Sequence, residues 1–132
     1  MAGGLLYLDA SALVKLVFRE PESSALREAL ASWPERVSSV LGEIEVLRVA
    51  RRTGRSASRR ASDVMARIAL VDLDDDVRAA ATALRPPQLR TLDAIHLATA
   101  LSLGDALGAL CAYDRRLAEA ATAAGAHVIA PE

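Results

Sequence analysis

Four acidic residues lie where their side chains could do chemistry: Asp9, Glu45, Asp93 and Asp114. Asp9 directly follows the apolar run Leu5–Leu8, and Asp114 closely follows an apolar run that ends near Ala112. Both runs are typical of strands, and ligands of a parallel sheet bind at the carboxyl ends of its strands. Either acid alone is also explained as the N-cap of the helix that follows the strand.

The other two acids lie within helical patterns. Glu45 is part of a helix predicted over residues 41–53, and Asp93 precedes the mostly apolar segment 94–98. A single acid on a helix is usually exposed to solvent. The functional interpretation therefore depends on the four acids forming a set.

Such a set predicts a metal site. Four carboxylates in a partly buried cleft repel one another and lose hydration, so they need a counter-charge. A divalent cation supplies it, and a ligand set made only of oxygens suits Mg²⁺ or Mn²⁺ better than zinc. The ion can activate a bound water and orient a phosphodiester for attack. If the four acids converge, which local patterns alone do not show, we expect Asp9 and Asp93 to be direct ligands, and Glu45 and Asp114 to hold metal-bound waters or a second ion.

Strands and helices alternate in the pattern that must position these acids. Strands are predicted over 5–8, 37–39, 70–73, 107–112 and 127–130. Helices are predicted over 12–17, 23–33, 41–53, 56–68, 77–84, 92–103 and 114–124. Ser11 and Thr91 are expected to cap the helices that follow them. The alternation indicates an α/β sandwich with a mainly parallel sheet, and 132 residues suit one domain over residues 1–132.

Composition excludes several other functions. Lys15 is the single lysine among 16 basic residues, which excludes a P-loop and a receiver domain. A phosphatase of the haloacid dehalogenase type needs a second acid two residues after Asp9, where this chain has Ser11. The one cysteine, Cys111, lies in an apolar run and is expected to be an inert core thiol. Neither a signal peptide nor a membrane-spanning run is evident, so we expect a cytoplasmic protein without a membrane partner.

Four segments resemble, in the same order, the motifs of PIN-domain proteins of the VapC toxin type. The first covers residues 7–16 and reads Tyr-Leu-Asp-Ala-Ser-Ala-Leu-Val-Lys-Leu. The others are residues 37–39 with residues 45–48, residues 92–98, and residues 113–117. Each motif is weak evidence alone. Together they cover nearly the whole chain, which makes the resemblance strong.

The resemblance implies a PIN-like, three-layer α/β/α sandwich and a metal-dependent activity. Proteins of this type are Mg²⁺- or Mn²⁺-dependent endoribonucleases of type II toxin–antitoxin systems, and they cut structured RNA, often transfer or ribosomal RNA. A VapB antitoxin holds the toxin inactive, and the toxin commonly forms a homodimer. Carried over by position, the acidic site is Asp9, Glu45, Asp93 and Asp114, with Ser11 as a hydroxyl close to it. The alternative is a PIN-like module that binds RNA or a protein without cutting.

Two positions affect how the acidic site of this family is assigned to the present chain. Glu43 and Glu45 lie about 200° apart on a helix, so only one of them can face the pocket. Glu45 is favoured because its spacing from Ser39 and the Val-Leu-Arg that follows it fit the motif better. Ala112 stands where many relatives have threonine, which removes a hydroxyl beside Asp114.

Arginines are concentrated between residues 48 and 67. They form either a solvated helical face or a surface that contacts phosphates beside the acidic pocket. The candidates for RNA contact are Arg48, Arg51, Arg52 and Arg55. Aromatic residues make up only 3% of the chain, which favours recognition of RNA shape over base stacking. His96, close to Asp93 on the same predicted helix, is expected to be a core or hydrogen-bonded histidine rather than a ligand or base.

Overall fold

The computed structural model describes residues 3–132, and within that range five strands form one sheet in which every pairing is parallel. Its order is β3-β2-β1-β4-β5. The bounds of the strands are Leu5–Leu8 (β1), Arg36–Ser39 (β2), Ala69–Val71 (β3), Leu107–Cys111 (β4) and Val128–Ile129 (β5). The predicted mainly parallel sheet is confirmed. Met1 and Ala2, which the predicted domain also includes, lie outside the described residues.

Seven α-helices connect these strands within the same range. Their bounds are Ala10–Val17 (α1), Ser23–Ala29 (α2), Val40–Thr53 (α3), Arg55–Met65 (α4), Asp75–Ala83 (α5), Thr91–Leu101 (α6) and Arg115–Ala123 (α7). Short 3₁₀ turns follow α2 and α6. Of the helices in residues 3–132, none combines the length and the apolar character needed to cross a bilayer.

Helices cover both faces of the sheet, as the α/β/α prediction requires. Consecutive strand residues point to opposite faces, so Leu6 and Leu8 pack with α1 to α4, whereas Tyr7 packs with α6 and α7. All three side chains are fully buried. The aliphatic strands are therefore apolar on both faces, which is the pattern expected of a parallel sheet between two helical layers.

Two predicted helix caps are wrong. Asp9, not Ser11, is the N-cap of α1, and its Oδ1 accepts the Ala12 N–H at 2.9 Å. Asp9 still has the extended backbone of β1, so its carboxylate can turn back over the first free N–H groups, whereas Ser11 is already helical. In the same way, Thr91 lies inside α6, and Arg90 occupies the cap position without a side-chain hydrogen bond.

The sheet order determines where a site can form. The chain adds β2 and β3 on one side of β1, then returns to add β4 and β5 on the other side. The carboxyl ends of β1 and β4 therefore border a topological switch point, which is where α/β sheets bind ligands. Asp9 follows β1 at this edge, and Asp114 lies three residues after the end of β4.

Candidate active site

Asp9 is a buried carboxylate at the end of β1, with only 3% of its surface exposed. Its Oδ1 accepts two hydrogen bonds, from the Ser11 hydroxyl at 2.6 Å and from the Ala12 N–H at 2.9 Å. Burial nevertheless raises its pKa above the usual range, although both donors act in the opposite direction. A carboxylate in this state is strongly disposed to accept a cation.

Ser11 connects Asp9 to the neighbouring strand. Its hydroxyl donates to Asp9 and accepts the Tyr113 N–H at 3.0 Å. Because Tyr113 immediately precedes Asp114, this pair of hydrogen bonds ties the end of β1 to the segment after β4. The hydroxyl thus orients Asp9 from within the protein.

Asp93 and Asp114 lie on the open side of the same edge. Asp93 is in the first turn of α6 and is half-buried, whereas Asp114 is exposed and caps α7 by accepting the Leu117 N–H at 3.0 Å. Burial raises the pKa of Asp93, and the negative charge of Asp114 raises it further. The charge of Asp93 in turn contributes to the raised pKa of Asp9. Asp93 therefore lies within electrostatic reach of both Asp9 and Asp114.

Glu45 projects from α3 toward α6. Its Oε1 lies 2.7 Å from Nε2 of His96, and its side chain is 25% exposed. Its negative charge also contributes to the raised pKa of Asp93. Glu45 thus belongs to the same electrostatic group, although it approaches from the opposite helical layer.

His96 is almost completely enclosed, with 1% of its surface exposed. Its Nδ1 lies 2.7 Å from the Tyr7 hydroxyl, and its Nε2 contacts Glu45. The prediction of a hydrogen-bonded core histidine is confirmed. A metal at either ring nitrogen would have to displace one of these partners.

Tyr7 and Gly42 are structural partners of the site that the sequence reasoning missed. Tyr7 is the one aromatic residue of an otherwise aliphatic strand, and a buried phenol needs a hydrogen-bond partner. Gly42 interrupts the first turns of α3, and a Cβ there would lie 3.1 Å from Cε1 of His96 and 2.6 Å from Oγ of Ser38. Both signals were visible in the sequence.

The donor set fits a hydrated magnesium or manganese ion. Among the described residues, no three His, Cys, Asp or Glu side chains are close enough together to enclose one ion. Mg²⁺ does not require that, because it usually keeps several waters and binds one or two carboxylates directly. Asp9 and Asp93 offer two oxygen ligands, and burial, with neighbouring negative charge adding to it, raises the pKa of both.

Two further side chains near the site, Lys15 and Cys111, are ion-paired and buried, respectively. The Lys15 ammonium lies 2.9 Å from both Glu20 and Glu22, and 4.6 Å from the centre of the Tyr113 ring. The Cys111 thiol is buried, and burial, with the Asp9 charge adding to it, raises its pKa to about 12. The predicted core position of this thiol is confirmed.

Two cavities lie near the site, and only the smaller one is lined by one of the four acids, Glu45. One, of about 290 Å³, lies between α1 and α3 and is lined by Ala10, Ser11, Val14, Lys15, Glu20, Glu45 and Val49. The other, of about 640 Å³, lies between α5, the turn at Pro86 and Pro87, and the start of α6. Thr91 and Ala94 line this second cavity on either side of Asp93 in the sequence.

All four candidate RNA-contacting arginines are exposed: Arg48, Arg51, Arg52 and Arg55. The helical repeat of α3 places Arg48 and Arg52 on the Glu45 side, one and two turns further along, and turns Arg51 about 120° away. Arg55 begins α4. Arg60, from the same cluster, is structural instead, because its Nε donates to the Val17 carbonyl at 3.1 Å and its guanidinium stacks on Phe18.

Comparison with known proteins identifies the family. The family model described as the PIN domain matches residues 6–123, a range that includes all four acids. The chain is 50% identical over 126 residues to Ribonuclease VapC46 of Mycobacterium tuberculosis, covering 96% of this chain and 97% of the relative. The chain is a PIN-domain protein of the VapC type.

The PIN fold is also evident in solved structures. Mycobacterium tuberculosis VapC20, described as a toxin that cleaves the sarcin–ricin loop, superposes with a TM-score of 0.75 at 18% identity, over 96% of this chain and 99% of that chain. A toxin–antitoxin complex from Klebsiella pneumoniae superposes with a TM-score of 0.74 at 22% identity, over 96% and 98% of the two chains. At these identities the likeness supports the PIN fold alone.

Proposed function

We propose that this VapC-type protein is an endoribonuclease toxin that cleaves structured RNA with Mg²⁺ or Mn²⁺ as cofactor. One observation supports the proposal: buried Asp9 and half-buried Asp93 lie at the carboxyl edge of the sheet, where burial, and then the negative charge of a neighbouring aspartate, raises the pKa of each. Such repulsion is costly unless a cation offsets it. The relative that is 50% identical bears the name of a ribonuclease, which supports RNA as the substrate.

Each acid has a proposed role. Asp9 and Asp93 would bind the ion directly, and Glu45 and Asp114 would act through water. The bound ion supplies positive charge that activates water and stabilises charge developing on the phosphate. Ser11 holds Asp9 in orientation through its 2.6 Å hydrogen bond. Glu45 or Asp114 accepts the proton of the attacking water.

Substrate recognition is proposed to use backbone contacts. Arg48 and Arg52 would contact phosphates of a folded RNA, such as a transfer or ribosomal RNA, beside the carboxylates. Arg51, in the last turn of α3, and Arg55, at the start of α4, are further candidates. RNA as the substrate also makes the cytoplasm the proposed site of action.

Protein partners form a further part of the proposal. A toxin–antitoxin complex is among the structures that share this fold, so we expect a VapB-type antitoxin to hold this chain inactive. We also expect a homodimer. Ile44 and Leu92 are about half exposed and are the chain neighbours of Glu45 and Asp93, which offers apolar surface for such contacts beside the site.

A cleavage assay separates this function from a PIN-like binding module that does not cut. The purified chain, freed of antitoxin, is incubated with total RNA and Mg²⁺ or Mn²⁺, alongside Asp9→Asn, Asp93→Asn and, as a matched control, Glu43→Gln. We expect EDTA and both asparagine variants to abolish cleavage, and the control to retain it. Retained RNA binding without cleavage in either metal would establish the binding module instead.

A further inference from the structure

Two consecutive hydrogen bonds cross the interior behind the carboxylates. The first joins the Tyr7 hydroxyl to Nδ1 of His96, and the second joins Nε2 of His96 to Oε1 of Glu45, each at 2.7 Å. Their residues belong to β1, α6 and α3 respectively. Asp9 directly follows β1 and Asp93 lies in α6, so the hydrogen bonds connect the three elements that carry Asp9, Asp93 and Glu45.

The donors and acceptors along this path have a defined direction. A tyrosine hydroxyl is protonated at neutral pH, since its ordinary pKa is about 10, and it donates to Nδ1. The ring hydrogen then resides on Nε2, which donates to the Glu45 carboxylate. His96 therefore presents an N–H to Glu45 because Tyr7 occupies the other nitrogen.

Packing prevents the imidazole from turning away. The rings of Tyr7 and His96 meet edge to face, with centroids 5.8 Å apart and planes at 72°. The absent Cβ of Gly42 provides the space for Cε1, since a methyl there would approach it to 3.1 Å. The ring is buried, so its Nε2–H is fixed relative to α3.

We infer that His96 is a positioning residue that holds the Glu45 carboxylate toward the metal site, and that Tyr7 sets its orientation. A glutamate on a partly exposed helix samples several rotamers, and restricting them costs conformational entropy at each binding event. A fixed donor at one carboxylate oxygen removes most of that cost before the ion arrives. The inference rests on the metal site of the proposed function.

Metal affinity without RNA tests this inference directly. Mn²⁺ binding is measured by titration calorimetry on the wild type, His96→Leu, His96→Gln and Tyr7→Phe, with Glu43→Gln as control. We expect His96→Leu to weaken Mn²⁺ binding about tenfold, the effect typical of losing an outer hydrogen-bond partner. His96→Gln can still present an N–H to Glu45 and should recover most of the affinity. Tyr7→Phe should weaken binding about threefold, as expected for one neutral hydrogen bond.

A double variant separates positioning from general damage. In a Glu45→Gln background, His96→Leu should cause no further loss of Mn²⁺ affinity, because the group that it positions is already altered. In cleavage assays the Mn²⁺ concentration for half-maximal rate should rise, while the rate at saturating Mn²⁺ stays near that of wild type. A lower folded fraction alone would reduce the rate without moving that concentration.

The outcomes test the positioning role of His96 separately from the proposed nuclease activity. Unchanged Mn²⁺ affinity in folded His96→Leu and Tyr7→Phe would overturn the positioning role even if the wild type cleaves RNA. If Mn²⁺ affinity falls as expected but the wild type cuts no RNA, the nuclease proposal fails and the positioning role stands. Should His96→Leu not fold, Tyr7→Phe and His96→Gln decide: the inference requires the first to weaken binding and the second to preserve it.

Discussion

Asp9 and Glu45 reach the site as the last members of hydrogen-bonded groups inside the protein, whereas Asp93 and Asp114 reach it from the solvent side. Asp9 accepts from Ser11 and from the α1 backbone, and Glu45 accepts from a buried histidine. The other two lie in the first turn of α6 and at the cap of α7. We call Asp9 and Glu45 the inner half of the site, and Asp93 and Asp114 the outer half. The two halves differ in which groups fix the carboxylates in place.

The two halves differ in how their carboxylates are held and in what raises their pKa values. In the inner half the carboxylates are fixed by donors, and burial is the main cause of the raised pKa of Asp9. In the outer half, the pKa of Asp93 is raised by burial and then by the negative charge of Asp114. We expect substitutions in the inner half to affect both stability and chemistry, and those in the outer half to affect chiefly chemistry.

Asp9→Asn should have the largest effect. Loss of a direct ligand removes several kcal/mol of metal-derived stabilisation, so we expect cleavage to fall about a thousandfold. Asparagine is an equally good N-cap, and it removes a buried charge, so the metal-free protein should become more stable at neutral pH. Rates of RNA cleavage and urea unfolding in EDTA measure the two effects.

The pH dependence of stability follows from the same shift. Because the pKa of Asp9 is raised above its ordinary value of 3.8, the folded state binds this proton more tightly than the unfolded state. The stability that it contributes is present below the unfolded pKa and is lost as the pH rises through the raised, folded pKa. Asp9→Asn should flatten this decline in EDTA, and an equally steep decline in the variant would contradict the assignment.

Asp93→Asn should reduce cleavage nearly as much, by about a hundredfold. Its effect on the stability of the metal-free protein should be smaller than that of Asp9→Asn, since Asp93 is only half-buried and solvent screens its charge. Parallel unfolding curves of the two variants in EDTA provide the comparison. A larger gain in stability at Asp93 than at Asp9 would reverse the proposed order of the two halves.

Asp114→Asn should lower cleavage about tenfold, because this exposed acid is proposed to act through water. Its removal takes away a charge that raises the pKa of Asp93, so that pKa should fall toward its usual range. Asparagine keeps the cap of α7, whereas Asp114→Ala also loses about 1 kcal/mol of cap stability. Comparing the two variants by cleavage and thermal unfolding separates the two roles, and equal stability would argue against the cap.

Local patterns in the sequence predicted the layers but not the connections between them. Strands apolar on both faces and helices between them determine a parallel sheet with two helical layers, which the structure confirms. The predicted N-cap of α1 was wrong because Asp9 and Ser11 are both good cap residues, and only the path of the chain out of β1 decides between them. Tyr7 and Glu45 lie 89 and 51 residues from His96, so no local rule could identify their contacts.

The smallest effect on function is expected for the exposed arginines of α3 and α4, of which two pairs can be compared. Arg48→Gln with Arg52→Gln removes charges on the Glu45 side of α3, whereas Arg51→Gln with Arg55→Gln removes equal charge at the end of α3 and the start of α4. We expect the first pair to weaken binding of an RNA to the Asp9→Asn protein severalfold and to lower the salt dependence by about 0.7–0.9 per lost contact. Filter binding at several salt concentrations measures both quantities.

The second pair serves as the matched control for net charge. If RNA were attracted only by the overall positive field of the helical hairpin, both pairs would weaken binding equally, because each removes two charges. A larger effect of Arg48 and Arg52 requires that phosphates lie along the same face of α3 as Glu45. That face begins at Glu45, so a difference between the pairs would place the RNA backbone beside the inner half of the site.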